Sequence, residues 1–297
     1  MPASDSDAPR RSGRPATPVE VPPDARRGRL DGALCVVTGA SSGIGQACAR
    51  LLAAEGAHLV LVARRQTHLE QTRIEALEAA AAAGRPEPYV RLARCDLASR
   101  REVAELAISI ERTEGRVDVL VNNAGMPAGV ELCGPDSIIR HDEVMQVNYT
   151  APVHLTAYLL PLLRDSDRAA IVNVSSIAGT YAAPDSAIYS ASKFALLGFS
   201  EGLAGQLAPD DIHVAAVLPG PIPTESWPHE RLVGSLPGRL LTRSPDAVAR
   251  VIVRCAGRRR TRRRTIPRAF AWGLPLKALA PRSFQRLIDR FGRTGSA

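Results

Sequence analysis

Tyr189 and Lys193 stand four residues apart in the run Tyr189-Ser-Ala-Ser-Lys193. On a helix that spacing puts both side chains on one face, so a phenol and an ammonium project toward one small volume. A cation beside a phenol favours the phenolate and draws the hydroxyl down from its ordinary pKa of about 10, which suits it to give and take protons. The choice of lysine is informative, because Lys193 is one of only two lysines in a chain that otherwise carries its positive charge on arginine. An ammonium is a compact head with three donors, and a planar guanidinium replaces it poorly in a crowded site. A Tyr and a Lys at this spacing are common, however, and the pair needs further company before it reads as a catalytic site.

That company begins at Thr38-Gly-Ala-Ser-Ser-Gly-Ile-Gly45, which follows an apolar run and leads straight into a helical pattern. Gly39, Gly43 and Gly45 permit a tight turn and let backbone N–H groups approach a pyrophosphate at a helix N-terminus. Ser41 and Ser42 add hydroxyl donors. The spacing is Gly-x-x-x-Gly-x-Gly, different from the commoner Gly-x-Gly-x-x-Gly fingerprint, and a plain strand-to-helix turn is the other reading.

Short apolar runs alternate with longer helical patterns from Leu34 onward. Strands are expected at Leu34–Thr38, His58–Ala63, near Tyr89–Ala93, Val117–Val121, Ala170–Val174 and Ile212–Leu218. Helices are expected at Ile44–Ala54, Leu69–Ala83, near Val103–Arg112, near Glu143–Leu163 and at Ala187–Leu207. Strands that read as continuous Val, Leu and Ile are buried on both faces, and the intervening helices supply right-handed crossovers. The expected fold is α/β: a doubly wound parallel sheet in one three-layer α/β/α domain.

Composition limits the possibilities. At 297 residues the chain can bury a sizeable core, and no internal repeat is visible. Five cysteines, Cys35, Cys48, Cys95, Cys133 and Cys255, lack metal-ligand spacing and are odd in number, which fits a reduced cytoplasmic compartment. No apolar run is long enough to span a membrane, and no signal peptide is visible. Residues 31–257 hold 20 basic against 25 acidic side chains, whereas residues 258–297 hold 12 against one. The net charge of +8 therefore describes the tail, the central body is mildly acidic, and nucleic-acid binding by the body is not indicated. Residues 1–30 contain six prolines and almost no bulky apolar residue before Leu30, so a disordered leader is expected.

Seven motifs occur in an order that resembles the short-chain dehydrogenase/reductase family over roughly residues 31–256: Thr38–Gly45, Asp96, Asn122-Asn-Ala-Gly125, Asn148, Ser176, Tyr189-x-x-x-Lys193, and Pro219-Gly220 followed by Thr224. Ser176 precedes Tyr189 by thirteen residues, within the family's interval. The resemblance implies a Rossmann-type dinucleotide fold and a carbonyl–alcohol oxidoreductase acting on CH–OH groups. It implies that Ser176 holds the substrate oxygen beside the Tyr189 hydroxyl, that Lys193 reaches the nicotinamide ribose, and that Asn148 holds a water on the path to bulk. A strand-end cap for Ser176 and a satisfied buried amide for Asn148 are the plainer alternatives. Asn122, Ala124 and Gly125 resemble the segment that closes the adenosine side and braces the sheet. Asp96 resembles the acid that accepts from the adenine amino group, unless it caps the following turn. Pro219 and Gly220 let the backbone pass the nicotinamide, and Thr224 bonds its carboxamide or the phosphates. Ile44, Leu97, Asn123 and Ile222 complete the cofactor set that the resemblance implies.

Cofactor choice turns on the end of the second strand, Leu61-Val-Ala-Arg64-Arg65. No acid stands there to read the ribose 2′-OH of NAD, and two guanidiniums are available to a 2′-phosphate, so NADP(H) is favoured; a solvated pair of arginines is the alternative.

Between Ile222 and Thr242, Trp227, Leu232, Val233, Leu236, Leu240 and Leu241 lie among prolines and glycines, where the family carries its substrate lid. Such content favours an apolar small-molecule carbonyl or alcohol, or else ordinary packing. In the tail, Thr265-Ile266-Pro267 suits a last edge strand. A helix from Ser283 gathers Phe284, Leu287, Ile288 and Phe291 on one face and Arg282, Arg286, Arg290 and Arg293 largely on the other. That face either meets an anionic membrane surface or packs on protein. Association into a homo-oligomer, dimer or tetramer, through the two long helices fits the family. A cofactor-binding regulator or scaffold without turnover is the alternative to an enzyme, and would more often lack Tyr189 or Lys193.

Overall fold

Six apolar strands and one basic edge strand form the frame: Leu34–Thr38 (β1), His58–Ala63 (β2), Val90–Arg94 (β3), Val119–Asn122 (β4), Ala170–Val174 (β5), His213–Pro219 (β6) and Arg263–Ile266 (β7). The structure, a computed structural model, describes residues 30–127, 134–182, 186–222, 242–257 and 263–286. The expected leader, Thr224, the lid after Ile222 and the tail beyond 286 therefore lie outside the described residues. All strand pairings are parallel, in the order β3-β2-β1-β4-β5-β6-β7. The chain order reverses between β1 and β4, and in such sheets the crevice beyond the carboxyl ends of those strands receives the ligand. Thr38, Arg64, Asp96, Asn122, Ser176 and Pro219 all sit at or just past those ends.

Helices cover both faces. Gly43–Ala54 (α1), Gln66–Ala82 (α2) and a late helix, Pro245–Gly257 (α7), close one side. Leu52, Leu59, Leu61, Leu69 and Ile252 are fully buried there. Arg100–Thr113 (α3), Ala151–Arg164 (α5) and Ala187–Gln206 (α6) close the other over Ile110, Leu155, Leu159, Leu163 and Leu207. Burial of each such side chain stabilises the fold by about 1.5–3 kcal/mol. Ala47, Cys48 and Ala49 keep α1 close to the sheet, which holds the glycine turn rigidly at its N-terminus. An ion pair, Arg50 Nη2 to Asp246 Oδ1 at 2.7 Å, fastens α1 to α7.

One segment differs from the sequence expectation. The helix expected near Glu143–Leu163 begins earlier, as Gly134–Met145 (α4), and passes through a π-helical turn, Gln146–Thr150, before α5. Its first part was hidden because Ile138 and Ile139 are 61% exposed and no apolar stripe marks a buried face. The widened turn swings Gln146 and Asn148 inward, where Gln146 bonds the Leu97 carbonyl at 3.3 Å and Arg100 Nε at 3.1 Å. The edge strand expected at Thr265–Pro267 is present two residues earlier as β7, where Ala216–Pro219 pair with Arg263–Ile266. A short helix follows, Gly273–Leu279 (α8), and residues 281–286 are helical.

Candidate active site

Three side chains converge above the ends of β5 and β6. Ser176, two residues past β5, is the N-cap of a 3-10 turn, Ile177–Gly179, and its Oγ accepts from Ala178 N at 3.1 Å. The plainer capping role is therefore real, and it fixes the serine's rotamer. Ser176 Oγ also donates to the Pro219 carbonyl at 3.5 Å, and its hydroxyl lies near enough to Tyr189, in the first turn of α6, to favour the phenolate. Lys193 follows one turn later, 3% exposed, with Nζ 5.8 Å from the Tyr189 ring centroid and donating to the Val174 carbonyl at 3.1 Å. Gly125 makes room for that ammonium, because a Cβ there would lie 3.3 Å from Nζ.

Burial dominates the electrostatics of the pair. Burial pushes the Tyr189 hydroxyl above its ordinary value, and the Ser176 hydrogen bond pulls it partly back. Lys193, which the sequence cast as the acidifying cation, is itself lowered to about 8 by burial. Desolvation penalises every charged form in the pocket, so it opposes both the phenolate and the ammonium.

Asn148 is fully buried in the π-helical turn, where Oδ1 accepts from Met126 N at 2.7 Å and Nδ2 donates to the Met126 carbonyl and to Ser192 Oγ, both at 3.0 Å. Both amide protons are used within the protein. Ser192 Oγ in turn donates to the Tyr189 carbonyl at 2.7 Å. Asn148 thus braces the segment after Gly125 against α6.

The cofactor cradle lies at the ends of β1 to β4. Gly39 has φ +67° and Gly43 has φ +56°, the left-handed region that side chains resist. At Gly45 a Cβ would strike the Gly39 carbonyl oxygen and stand 2.6 Å from Asn123 Nδ2. Asn123 Nδ2 donates to the Thr38 carbonyl at 2.9 Å, while Thr38 Oγ1 accepts from Asn123 N and Ala124 N at 3.0 and 3.1 Å. Asn122 points the other way, donating to Asn173 Oδ1 at 2.8 Å inside the sheet. Ser42, the N-cap of α1, makes no side-chain capping bond. Arg65 Nη2 instead reaches Ser42 Oγ at 3.0 Å and Ser41 Oγ at 3.5 Å. Arg64 Nη1 lies 4.0 Å from Asp96 Oδ2, whose other oxygen accepts from Ala98 N at 3.0 Å. A glycine loop opening a helix, with the Arg65 guanidinium and two hydroxyls gathered on it, fits the phosphates of a dinucleotide.

Of the remaining cofactor set, Leu97 and Ile222 are 7% and 6% exposed and belong to the core clusters, and Ile44 is partly buried against the same core as Ile222. Gly220 also makes room for Phe270, since a Cβ there would meet Phe270 Cε2 at 2.7 Å. Its N–H donates to the Ile266 carbonyl at 2.6 Å. The tail thus packs on the site. Tyr181 stands between Phe284, at 5.4 Å, and Phe270, at 6.5 Å, and Phe284 is only 5% exposed. Protein packing, not an exposed amphipathic face, is what Phe284 shows; Leu287, Ile288 and Phe291 lie outside the described residues.

Sequence reasoning passed over Ser175, Gly179, Ser192, Tyr181, Phe270 and Lys277. Ser175 Oγ donates to the Lys193 carbonyl at 2.8 Å, and a Cβ on Gly179 would lie 2.6 Å from that same carbonyl oxygen. Both seat the Ser176 turn on α6. Rarity was the available signal for Lys277, the chain's other lysine.

The short chain dehydrogenase family model matches residues 33–232. Dehydrogenase/reductase SDR family member 7B of Rattus norvegicus is 38% identical over 197 residues, 66% of this chain and 59% of the relative. The chain thus spans less than two thirds of that protein's length. The 3-oxoacyl-(acyl-carrier-protein) reductase FabG of Thermotoga maritima is 34% identical over 232 residues, 76% of this chain and 90% of the relative. Among solved structures, a metagenomic short-chain oxidoreductase in complex with NADP superposes with a TM-score of 0.65 at 31% identity, covering 80% of this chain and 96% of that one.

Proposed function

Because the chain belongs to the short-chain dehydrogenase family, we propose that it is an NADP(H)-dependent oxidoreductase interconverting a carbonyl and the corresponding alcohol on a lipophilic small molecule. The observation that carries the reading is the convergence of the Ser176 hydroxyl and the Tyr189 phenol, with Lys193 buried one helical turn behind. Ser176 binds the substrate oxygen beside the phenol, and Tyr189 delivers its proton there in reduction or removes one in oxidation. Lys193, held by Val174 and given room by Gly125, supplies the nearby positive charge that favours the phenolate. The bound dinucleotide supplies or accepts the hydride. Its phosphates are assigned to Gly39, Ser41, Ser42, Gly43 and the first turn of α1, with Arg64 and Arg65 for a 2′-phosphate. The NADP bound by the metagenomic relative supports this choice, as does the absence of an acid at the end of β2.

The wider assignments belong to the same proposal. The apolar stretch after Ile222 supports a lipophilic substrate. Tyr158 on α5, 50% exposed, supports a homo-oligomer through the long helices. No helix among the described residues is long and apolar enough to cross a membrane. A membrane-surface role for the tail keeps the support of its charge, 12 basic residues against one acid, but not of Phe284. Four free, buried cysteines, Cys35, Cys48, Cys95 and Cys255, support a reducing cytoplasm.

The test is NADPH oxidation across carbonyl compounds graded by chain length and ring size, repeated with Tyr189→Phe. Turnover by the parent should fall by roughly 10²–10⁴-fold in the variant while NADPH binding persists. Equal turnover by the two proteins removes Tyr189 from the chemistry, and NADPH binding with no turnover of any carbonyl points to a regulator.

A further inference from the structure

We propose that Lys277 is a positioning residue for Ser176, clamping the far end of the turn whose near end is held by Lys193; this rests on the oxidoreductase reading of the site. The chain has two lysines against 36 arginines. Each donates its ammonium to a main-chain carbonyl at one end of the same seven-residue segment, Lys193 to Val174 at 3.1 Å and Lys277 to Thr180 at 2.6 Å. Between those anchors the segment closes on itself. Ala178 N donates to Ser176 Oγ at 3.1 Å, Gly179 N to the Ser176 carbonyl at 2.9 Å and Thr180 Oγ1 to the Ile177 carbonyl at 2.7 Å.

The position of Lys277 suits an ammonium. It is half-buried, and its Nζ lies 5.0 Å from the ring centroid of Phe194, the residue next to Lys193. A compact cation can cap one carbonyl and rest on one aromatic face, whereas a guanidinium needs a broader, forked partner. A charge-assisted bond of this kind is stronger than a neutral one. The rest of the C-terminal segment reinforces the contact. Phe270 occupies the space left by Gly220 at the end of β6, and Phe270 and Phe284 flank Tyr181, which directly follows Thr180. One segment therefore touches the loops after β5 and β6 and the catalytic helix α6. Residues beyond the last strand complete the site rather than trail from it.

The experiment uses the full chain and three variants: Lys277→Met, which keeps the stem and removes the charge; Lys277→Arg, which restores a cation; and Leu279→Ala, at an 85% exposed position on the same helix. Two readouts are taken, amide hydrogen exchange in the peptide covering residues 176–182 and steady-state kinetics at saturating NADPH. In Lys277→Met, exchange should quicken about tenfold in that peptide, and kcat should fall about tenfold with NADPH affinity unchanged. Lys277→Arg should recover the protection only in part, and Leu279→Ala should match the parent. Unchanged exchange overturns the clamp, as does faster exchange spread equally through β1 and β4, which would mark general destabilisation. Lost protection with unchanged kcat overturns the positioning role. If the parent turns over no carbonyl, protection lost locally in Lys277→Met upholds the clamp while the oxidoreductase reading falls.

Discussion

Replacing Lys193 with Met should stabilise the free protein while disabling it. The ammonium is 3% exposed, and burial lowers its pKa from 10.5 to about 8. That drop corresponds to ~3 kcal/mol of cost for keeping the charged form in place at neutral pH. Methionine has a similar length and no charge to desolvate, but it forfeits the 3.1 Å bond to the Val174 carbonyl, worth ~1 kcal/mol. The net expectation is a gain of ~2 kcal/mol near a pH of about 7, which raises Tm by several degrees in a domain of this size. The gain should depend on pH in a definite direction. A lysine whose folded pKa lies below its unfolded value leaves the folded state with fewer protons between about 8 and 10.5, so the parent gains stability as pH rises through that window. By a pH of about 9 the penalty has shrunk by ~1 kcal/mol, and the variant's advantage shrinks with it. Urea unfolding of both proteins without cofactor, followed by far-ultraviolet circular dichroism at the two pH values, measures this. A variant no more stable than the parent near neutrality, or an advantage that does not narrow toward alkaline pH, refutes the argument that a desolvated charge sits at this position.

Other expected outcomes concern the cradle and its support. Arg65→Ala removes the guanidinium bonded to Ser41 and Ser42 and should weaken NADPH binding by roughly 10–100-fold with little effect on NADH, read by cofactor fluorescence titration; equal losses for both cofactors would falsify the 2′-phosphate assignment. Arg64→Ala, at a side chain 66% exposed and 4.0 Å from Asp96, should follow the same pattern more weakly. Asn148→Ala removes the partners of the part-buried Met126 N–H and carbonyl and one of the two bonds of Ser192 Oγ, and denaturant unfolding should show a loss of ~2 kcal/mol. A loss comparable to that at an exposed site would mean that those bonds are replaced by water.

The sheet was legible in the sequence because parallel strands buried on both faces are written as unbroken apolar runs, as in β1, β2 and β6, and because glycine at 39, 43 and 45 admits few other uses. The pairing of Tyr189 with Lys193 was legible for the same kind of reason: helical periodicity alone places them together. Periodicity fell silent where a segment is not amphipathic. The helix from Gly134 exposes Ile138 and Ile139, and the π-helical turn at Gln146–Thr150 breaks the repeat. What Asn148 does, and which way the Tyr189 and Lys193 protons are biased, depended on how much water the fold excludes, a property of packing between segments far apart in the chain. The same holds for Gly220 and Phe284, whose roles became visible only against Phe270 and Tyr181. A residue's type and spacing determine which groups can meet. Only the tertiary structure decides how far they are desolvated and what presses against them, because both are set by side chains brought in from other elements.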